Sequence, residues 1–198
     1  MQKITPHLWF DKEAVEVAEF YATVFPDSKV NFKTQIKNTP SGDCDIVGFE
    51  IMGYSFMAIS AGPFFKINPS ISFSLNLETK EEAQALWDKL SQSGQVLMEL
   101  GKYPFSDFYG WLQDKYGVSW QLIALGEGAN GRPKITPALM FTQEKAGKAE
   151  EAINFYTSVF KNSKIDGIFR YGANQKPDKE GTIAHSVFFL GRTGIYGA

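Results

Sequence analysis

The residues in this 198-residue chain that could do chemistry are few. His7 lies in KITPHLWF (Lys3–Phe10), where Ile4, Leu8 and Phe10 are apolar and strand alternation sends Thr5, His7 and Trp9 to the opposite face. There His7 is a polar hook or a general base working near neutral pH, or else a histidine satisfied inside the fold. Ser70, Ser72, Ser74 and Asn76 alternate with Ile71, Phe73, Leu75 and Leu77. A solid core would put apolar side chains on both faces of that strand, so the polar row points to a hydrated or ligand-filled cavity. No His/Asp pair at a known motif spacing accompanies it, so no serine nucleophile is implied. Trp111 is a stacking wall for a flat ligand or a core residue. Trp120 shares parity with Val118 and Leu122 and reads as core, and His185, in an apolar strand, reads as structural.

Gly126, Gly128 and Gly131 are spaced as GxGxxG, but Pro133 and a new strand follow them. The dinucleotide fingerprint needs a helix there, so Leu125–Pro133 reads as a flexible connector. The net charge of −2 supplies no basic surface for nucleic acid. Cys44 is the only cysteine, which excludes an intramolecular disulfide and fits a reducing cytoplasm. No signal-like N-terminus or membrane-length apolar run is present, so no membrane is expected. Aromatic residues reach 15%; most of them belong to the core, but some can line a ligand cavity.

The elements that must position these residues come from a repeat. KITPHLWF returns as KITPALMF at Lys134–Phe141, and EFYATVFPDSKV (Glu19–Val30) returns as NFYTSVFKNSKI (Asn154–Ile165). Periodicity gives a strand at Ile4–Phe10, a helix at Glu13–Val24 and strands at Lys29–Ile36, Asp45–Met52 and Ser55–Ser60. The same βαβββ order follows: strand Ser70–Leu77, helix Glu78–Ser93, strands Val96–Leu100, Phe108–Gln113 and Val118–Leu125. Thr79 and Glu82 form a capping box, and Gly94 closes the helix. A third copy begins with strand Ile135–Phe141, helix Ala146–Val159 and strands Ser163–Tyr171 and Thr182–Leu190. Aligning Gly191 with Gly53 sets Val187 and Phe189 on Phe49 and Ile51. The ending GRTGIYGA lacks the alternation of a fourth strand.

PHLWFD, FYATVFPDSKV and DKYGVSWQL (Asp114–Leu122) together resemble the PhnB-like branch of the vicinal-oxygen-chelate superfamily, which includes glyoxalase I, bleomycin-resistance proteins and extradiol dioxygenases. Members of that branch are often labelled 3-demethylubiquinone-9 3-methyltransferase-like. The resemblance implies an α+β fold of tandem βαβββ modules curling into an open mixed-sheet barrel around a cleft. It covers residues 3–125 as a complete domain (modules 3–60 and 70–125) and, beyond a linker at 126–133, residues 134–198 as a lone or truncated third module. The methyltransferase label finds no support, because no strand leads into the glycine-rich turn that holds a methyl donor. Superfamily metal sites use the inner faces of each module's first and last strands, with a final-strand D-P-x-G-x-x-x-E glutamate. Here that frame runs from Asp114 through Gly117 to Gln121, the first-strand position falls near Thr5 and His7, and the fifth-strand position near Ser70 or Ser72. His7, Gln121 and Glu50 are the donors that can be collected, too few for a tight divalent ion.

The expectation is therefore a small-molecule-binding protein whose cleft holds His7, Trp9, Glu50, Ser72, Trp111 and Gln121, with no metal or other cofactor. The alternatives are a metal-dependent lyase, isomerase or dioxygenase of the glyoxalase type, and a non-catalytic assembly module. Each module's first helix is expected to bury its F-Y-x-x-x-F face, both Phe20/Tyr21/Phe25 and Phe155/Tyr156/Phe160. The open edge of the lone third module points to a homodimer.

Overall fold

Three βαβββ modules follow one another in the computed structural model, which describes residues 2, 4–129, 131–175 and 179–198. Module one comprises β1 (His7–Phe10), α1 (Ala14–Val24), β2 (Lys29–Thr39), β3 (Gly42–Ile51) and β4 (Tyr54–Ser60). Module two comprises β5 (Ile71–Leu77), α2 (Lys80–Leu90), β6 (Gln95–Tyr103), β7 (Ser106–Gln113) and β8 (Ser119–Ala124). Module three comprises β9 (Ile135–Leu139), α3 (Ala149–Val159), β10 (Lys164–Arg170), β11 (Ile183–Leu190) and β12 (Thr193–Gly197). The expected α+β architecture of open, mixed sheets is present. No helix among the described residues is long and apolar enough to cross a membrane.

Within each module the last strand returns parallel to the first, so Met57 pairs with His7, Gln121 with Ser74, and Tyr196 with Ala138. The modules are shared between sheets differently from the expectation. Module one forms a four-stranded sheet of its own, ordered β1-β4-β3-β2. Modules two and three form one eight-stranded sheet, ordered β10-β11-β12-β9-β5-β8-β7-β6, joined by antiparallel pairing of β5 with β9. The edge of β9 that was to drive a homodimer is thus filled within the chain. The edge left open at a module junction is that of β1.

Modules one and two meet back to back instead. The apolar faces of both sheets and helices share one core: Tyr21 and Phe25 of α1 and its end pack on Trp120 of β8, with ring centroids 5.4 and 5.1 Å apart, and Phe56 of β4 meets Phe73 of β5 at 5.0 Å. Module three has a smaller core of its own around Ile153, Phe188 and Ile195. The expected burial of the F-Y-x-x-x-F face therefore holds for one copy. Tyr21 and Phe25 are buried, whereas Phe155 and Phe160 are 62% and 42% exposed, because no second module covers the outer side of α3.

Four local expectations are corrected by the structure. GRTGIYGA does build a fourth strand, β12, paired with both β11 and β9. Leu190 lies opposite Thr193 as Ile51 lies opposite Tyr54, so Gly191 corresponds to Met52, and both hold positive φ (64° and 49°). Phe188 and Leu190, both buried, are the counterparts of Phe49 and Ile51; a one-residue slip in register swaps faces. The connector carries a 3-10 turn (Gly126–Ala129) with Ala129 buried, so it is built rather than slack. The capping box at Thr79 and Glu82 is present. Gly94 is needed for closeness rather than conformation: a Cβ there would sit 2.4 Å from the Gln113 carbonyl oxygen, while Ser93 takes the left-handed backbone at φ 58°.

Candidate ligand site

The polar row of β5 faces away from the shared core, into the open barrel of modules two and three. Ser72, Ser74 and Asn76 are all nearly inaccessible, whereas Ser70 precedes the strand and is exposed. Across the β5–β9 junction Ser74 pairs with Thr136, which is also buried, and the Asn76 amide donates to the Pro133 carbonyl (2.8 Å) and to Thr136 Oγ1 (3.3 Å). β8 adds Gln121. Its amide nitrogen donates to Ser72 Oγ at 2.7 Å, and its amide oxygen accepts from the Tyr109 hydroxyl at 2.9 Å. Burial, with the Tyr103 phenol nearby, pushes the Tyr109 phenol well above its ordinary range, so it stays a neutral donor.

Aromatic rings flank this chain of hydrogen bonds. Trp111 pairs with Gln121 across β7–β8, and its indole N–H donates to Ser119 Oγ at 2.8 Å. Tyr103, Phe105 and Tyr109 pack together at the β6–β7 hairpin, with centroids 5.1–5.8 Å apart. Phe105 is 65% exposed, so this group forms a rim. On module three, His185 lies between Phe169 and Tyr196, with centroids 6.2 and 5.2 Å away. It keeps an exposed edge, yet desolvation by its neighbours holds the imidazole below its usual pKa. The assembly offers amide and hydroxyl groups beside aromatic faces, a surface suited to a small, partly polar, flat molecule.

Of the six residues expected to share one cleft, the structure brings together Ser72, Trp111 and Gln121. His7, Trp9 and Glu50 belong to the other sheet, whose corresponding face points the opposite way because the two sheets share their apolar sides. His7 is exposed. The Trp9 indole donates to the Gly62 carbonyl at 2.8 Å and meets Phe65 edge-on. Glu50 accepts from Asn31 at 3.2 Å and lies 3.5 Å from Lys29, a surface arrangement. Tyr109, Thr136 and Tyr196 were not foreseen. Strand parity with Trp111 would have found Tyr109, but Thr136 and Tyr196 needed the β5–β9 pairing.

Asp114 is the most enclosed carboxylate among the described residues and belongs to the core. Oδ2 accepts from the Tyr21 hydroxyl (2.5 Å) and the Trp120 indole (2.9 Å), and Oδ1 from the backbone amides of Tyr116 (2.9 Å) and Val118 (3.1 Å). Burial pushes its carboxyl up and the four donors pull it back, the first effect being the larger. It fastens α1 to the β7–β8 turn.

Comparison with known proteins places this arrangement. The family described as 3-demethylubiquinone-9 3-methyltransferase matches residues 2–123 and again 133–198. The chain belongs to that family. A putative 3-demethylubiquinone-9 3-methyltransferase, PhnB protein, from Bacillus cereus is 39% identical over 62% of this chain and 99% of its own, with a TM-score of 0.57. A protein from Pseudomonas aeruginosa shares the fold at 24% identity, over 63% of this chain and 98% of its own, with a TM-score of 0.54. Glyoxalase I from Zea mays, 15% identical, matches the fold over 99% of this chain and 67% of its own, with a TM-score of 0.62. No curated protein matches. The PhnB-like branch of the vicinal-oxygen-chelate superfamily is thus the chain's family.

That superfamily places metal donors on the inner faces of first and last strands. Here the paired positions are His7 with Met57, Ser74 with Gln121 and Ala138 with Tyr196. None is a carboxylate, and among the described residues no three of His, Cys, Asp and Glu converge. Both ends of the Gln121 amide are already engaged. This donor set does not fit a catalytic divalent ion.

Proposed function

We propose that the chain binds a small organic molecule in the open barrel of modules two and three, without a catalytic metal. The observation that carries this reading is the buried row Ser72, Ser74, Asn76 and Thr136 with the Tyr109–Gln121–Ser72 hydrogen bonds. Polar side chains at the centre of a sheet cost stability unless they bond to one another or to an occupant. A ligand with one carbonyl or hydroxyl would compete for Gln121, while its flat portion lies against Trp111 and the Tyr103/Phe105/Tyr109 rim. The family name of Bacillus cereus PhnB includes a methyltransferase activity. Among the described residues the glycine-rich segment between β8 and β9 does not open a helix after a strand, the arrangement a methyl-donor site of that kind uses.

Native mass spectrometry and metal analysis of tag-free protein test the reading. We expect a retained or added small molecule whose affinity falls at least about tenfold in Gln121→Ala, by loss of a buried hydrogen bond of about 1.5 kcal/mol. Binding unaffected by Gln121→Ala and by Trp111→Ala would place the site elsewhere. Stoichiometric zinc, nickel, manganese or iron would favour glyoxalase-type metal chemistry instead.

A further inference from the structure

The hydroxyl groups along β5 and β9 are not all spent. Ser72 Oγ accepts from the Gln121 amide, but its own proton has no acceptor among the described residues. Thr136 Oγ1 accepts from the Asn76 amide, and its proton is left over in the same way. Ser74 lies directly opposite Thr136 on β9 and Gln121 on β8, yet its hydroxyl bonds to neither, nor to any other described residue. Ser72, Ser74 and Thr136 are only 1%, 4% and 2% exposed. Enclosing a hydroxyl without a partner costs stability, and folded proteins rarely leave one so. Phe73 and Leu75, on either side of Ser74, fill the shared core, so Ser74 points the other way, into the barrel.

Resting on the cleft reading above, we propose that Ser72, Ser74 and Thr136 form a donor pocket for an uncharged carbonyl oxygen, so that the ligand is a flat aryl carbonyl compound rather than an acid or an amine. The register draws the site as one line. Trp111, Gln121, Ser74 and Thr136 lie side by side across β7, β8, β5 and β9, a row of about 14 Å at the usual strand spacing. A two-ring ligand fits that length, with its rings against Trp111 and its carbonyl between Ser74 and Thr136. Opposed side chains of an antiparallel pair hold their Cβ atoms about 4.5–5.5 Å apart, so both hydroxyls reach one oxygen set between them. The hydrogen bonds also have a direction: Tyr109 donates to Gln121 and Gln121 to Ser72, so this run ends in the Ser72 proton. A donor ligand would use the Ser74 oxygen and leave all three protons unspent. The acceptor left over, Asn76 Oδ1, belongs to an amide bonded to the Pro133 carbonyl, at the far end of the row. Cations near the row are engaged or neutral. Lys134, two residues before Thr136, bonds Glu78 at 2.6 Å, and desolvation holds His185 toward its neutral imidazole. A carboxylate in the pocket would thus be stripped of water without a counter-charge.

The test is equilibrium dialysis of the full chain against four probes of one shape: para-acetylbiphenyl, para-ethylbiphenyl, para-phenylbenzoate and para-phenylbenzylamine. The ketone should bind at least about tenfold more tightly than the hydrocarbon, and the two charged probes more weakly than the ketone. In Ser74→Ala and in Thr136→Val that advantage should shrink to less than about threefold, while the hydrocarbon keeps its affinity within about twofold. Ser74→Ala also has a readout without any probe. Its Tm should stay the same or rise by up to about 4 °C, because no hydrogen bond is lost, and a fall of more than about 5 °C would mean the hydroxyl already has a partner and would overturn the proposal. Ketone and hydrocarbon binding equally well, both weakened by Trp111→Ala, would overturn the donor pocket and leave the cleft standing. Tightest binding of the benzoate would make the site an anion site and overturn it too. Probe binding that neither Trp111→Ala nor Gln121→Ala alters would remove the cleft and the pocket together.

Discussion

Replacing Asp114 should separate modules one and two more effectively than any surface change. Four donors, three of them buried, converge on its two oxygens: a phenol from α1, an indole from β8 and two backbone amides of the β7–β8 turn. Asp114→Ala leaves all four without an acceptor. Stranding donors around a lost buried carboxylate costs about 3–5 kcal/mol, roughly 6–20 °C of Tm for a chain of this size. Asp114→Asn is milder. Its oxygen can keep the two turn amides and the Tyr21 hydroxyl can rotate to accept, but the new NH2 faces the Trp120 N–H, at a cost of about 2 kcal/mol. The pH dependence has a definite sign. Because burial raises the folded carboxyl's pKa, its contribution is full below about 3.9, the unfolded value. It is lost as pH rises and the unfolded chain ionises first. Asp114→Asn should show no such slope. Urea titrations followed by tryptophan fluorescence between pH 3.5 and pH 8, chosen to bracket that range, measure both. A loss below about 1 kcal/mol for Asp114→Ala at pH 7, or an Asn variant worse than Ala, would refute the reasoning.

Three further outcomes follow from burial. Phe25→Ala, in the packed face of α1, should cost about 3–5 kcal/mol, while Phe160→Ala, its exposed counterpart, should cost under about 1 kcal/mol; equal losses in urea melts would mean that α3 is covered after all. The Tyr54 hydroxyl is buried without a partner, and burial pushes its pKa up to about 12. Tyr54→Phe should therefore be neutral or stabilising by about 1 kcal/mol, and a destabilisation in the same assay would reveal a missed partner. His185 is held below its ordinary pKa by desolvation, so its neutral form belongs to the fold, and its contribution is present above about pH 6.5 and fades as pH falls. Thermal melts at pH 7.5 and 5 should show a smaller acid-side loss in His185→Phe than in the parent chain, and an unchanged difference would place the titrating group elsewhere.

Local structure was legible because period-two and period-3.6 patterns are written residue by residue. The alternation of β5 foretold the polar row at Ser72, Ser74 and Asn76, and Thr79 with Glu82 foretold the start of α2. Partnership between edges was not legible. β1, β5 and β9 all read as strands with one apolar face, and nothing in a strand's own alternation says whether β5 will meet β1 or β9. The repeat suggested one complete domain and a spare half, whereas the chain spends module two on both neighbours. The slip at β11–β12 has a smaller cause. Gly191 and Gly53 look equivalent, but the first turn residue needs a positive φ in both hairpins, and module one fills it with Met52.

The site's legibility follows from the same division. Ser72, Trp111 and Gln121 all lie in module two, so parity along single strands, with the hairpin order of β7 and β8, was enough to bring them together. His7, Trp9 and Glu50 obey the same parity and were assigned to the same cleft because module one was taken as the partner of module two. Once β5 pairs with β9, the strand beside the β5 row sets Ala138, the counterpart of His7, opposite Ser72 and Thr136 opposite Ser74, with Tyr196 beside Ala138. The substitution of partners also changes the chemistry. His7 and Glu50 would have brought an imidazole and a carboxylate within reach of Gln121, a set from which metal or acid–base catalysis could be built. Thr136 and Tyr196 bring hydroxyls, and the nearest imidazole, His185, is held toward its neutral form by the rings around it. The proposed cleft of modules two and three therefore offers amide and hydroxyl groups. The imidazole of His7 and the carboxylate of Glu50 lie on the separate sheet of module one.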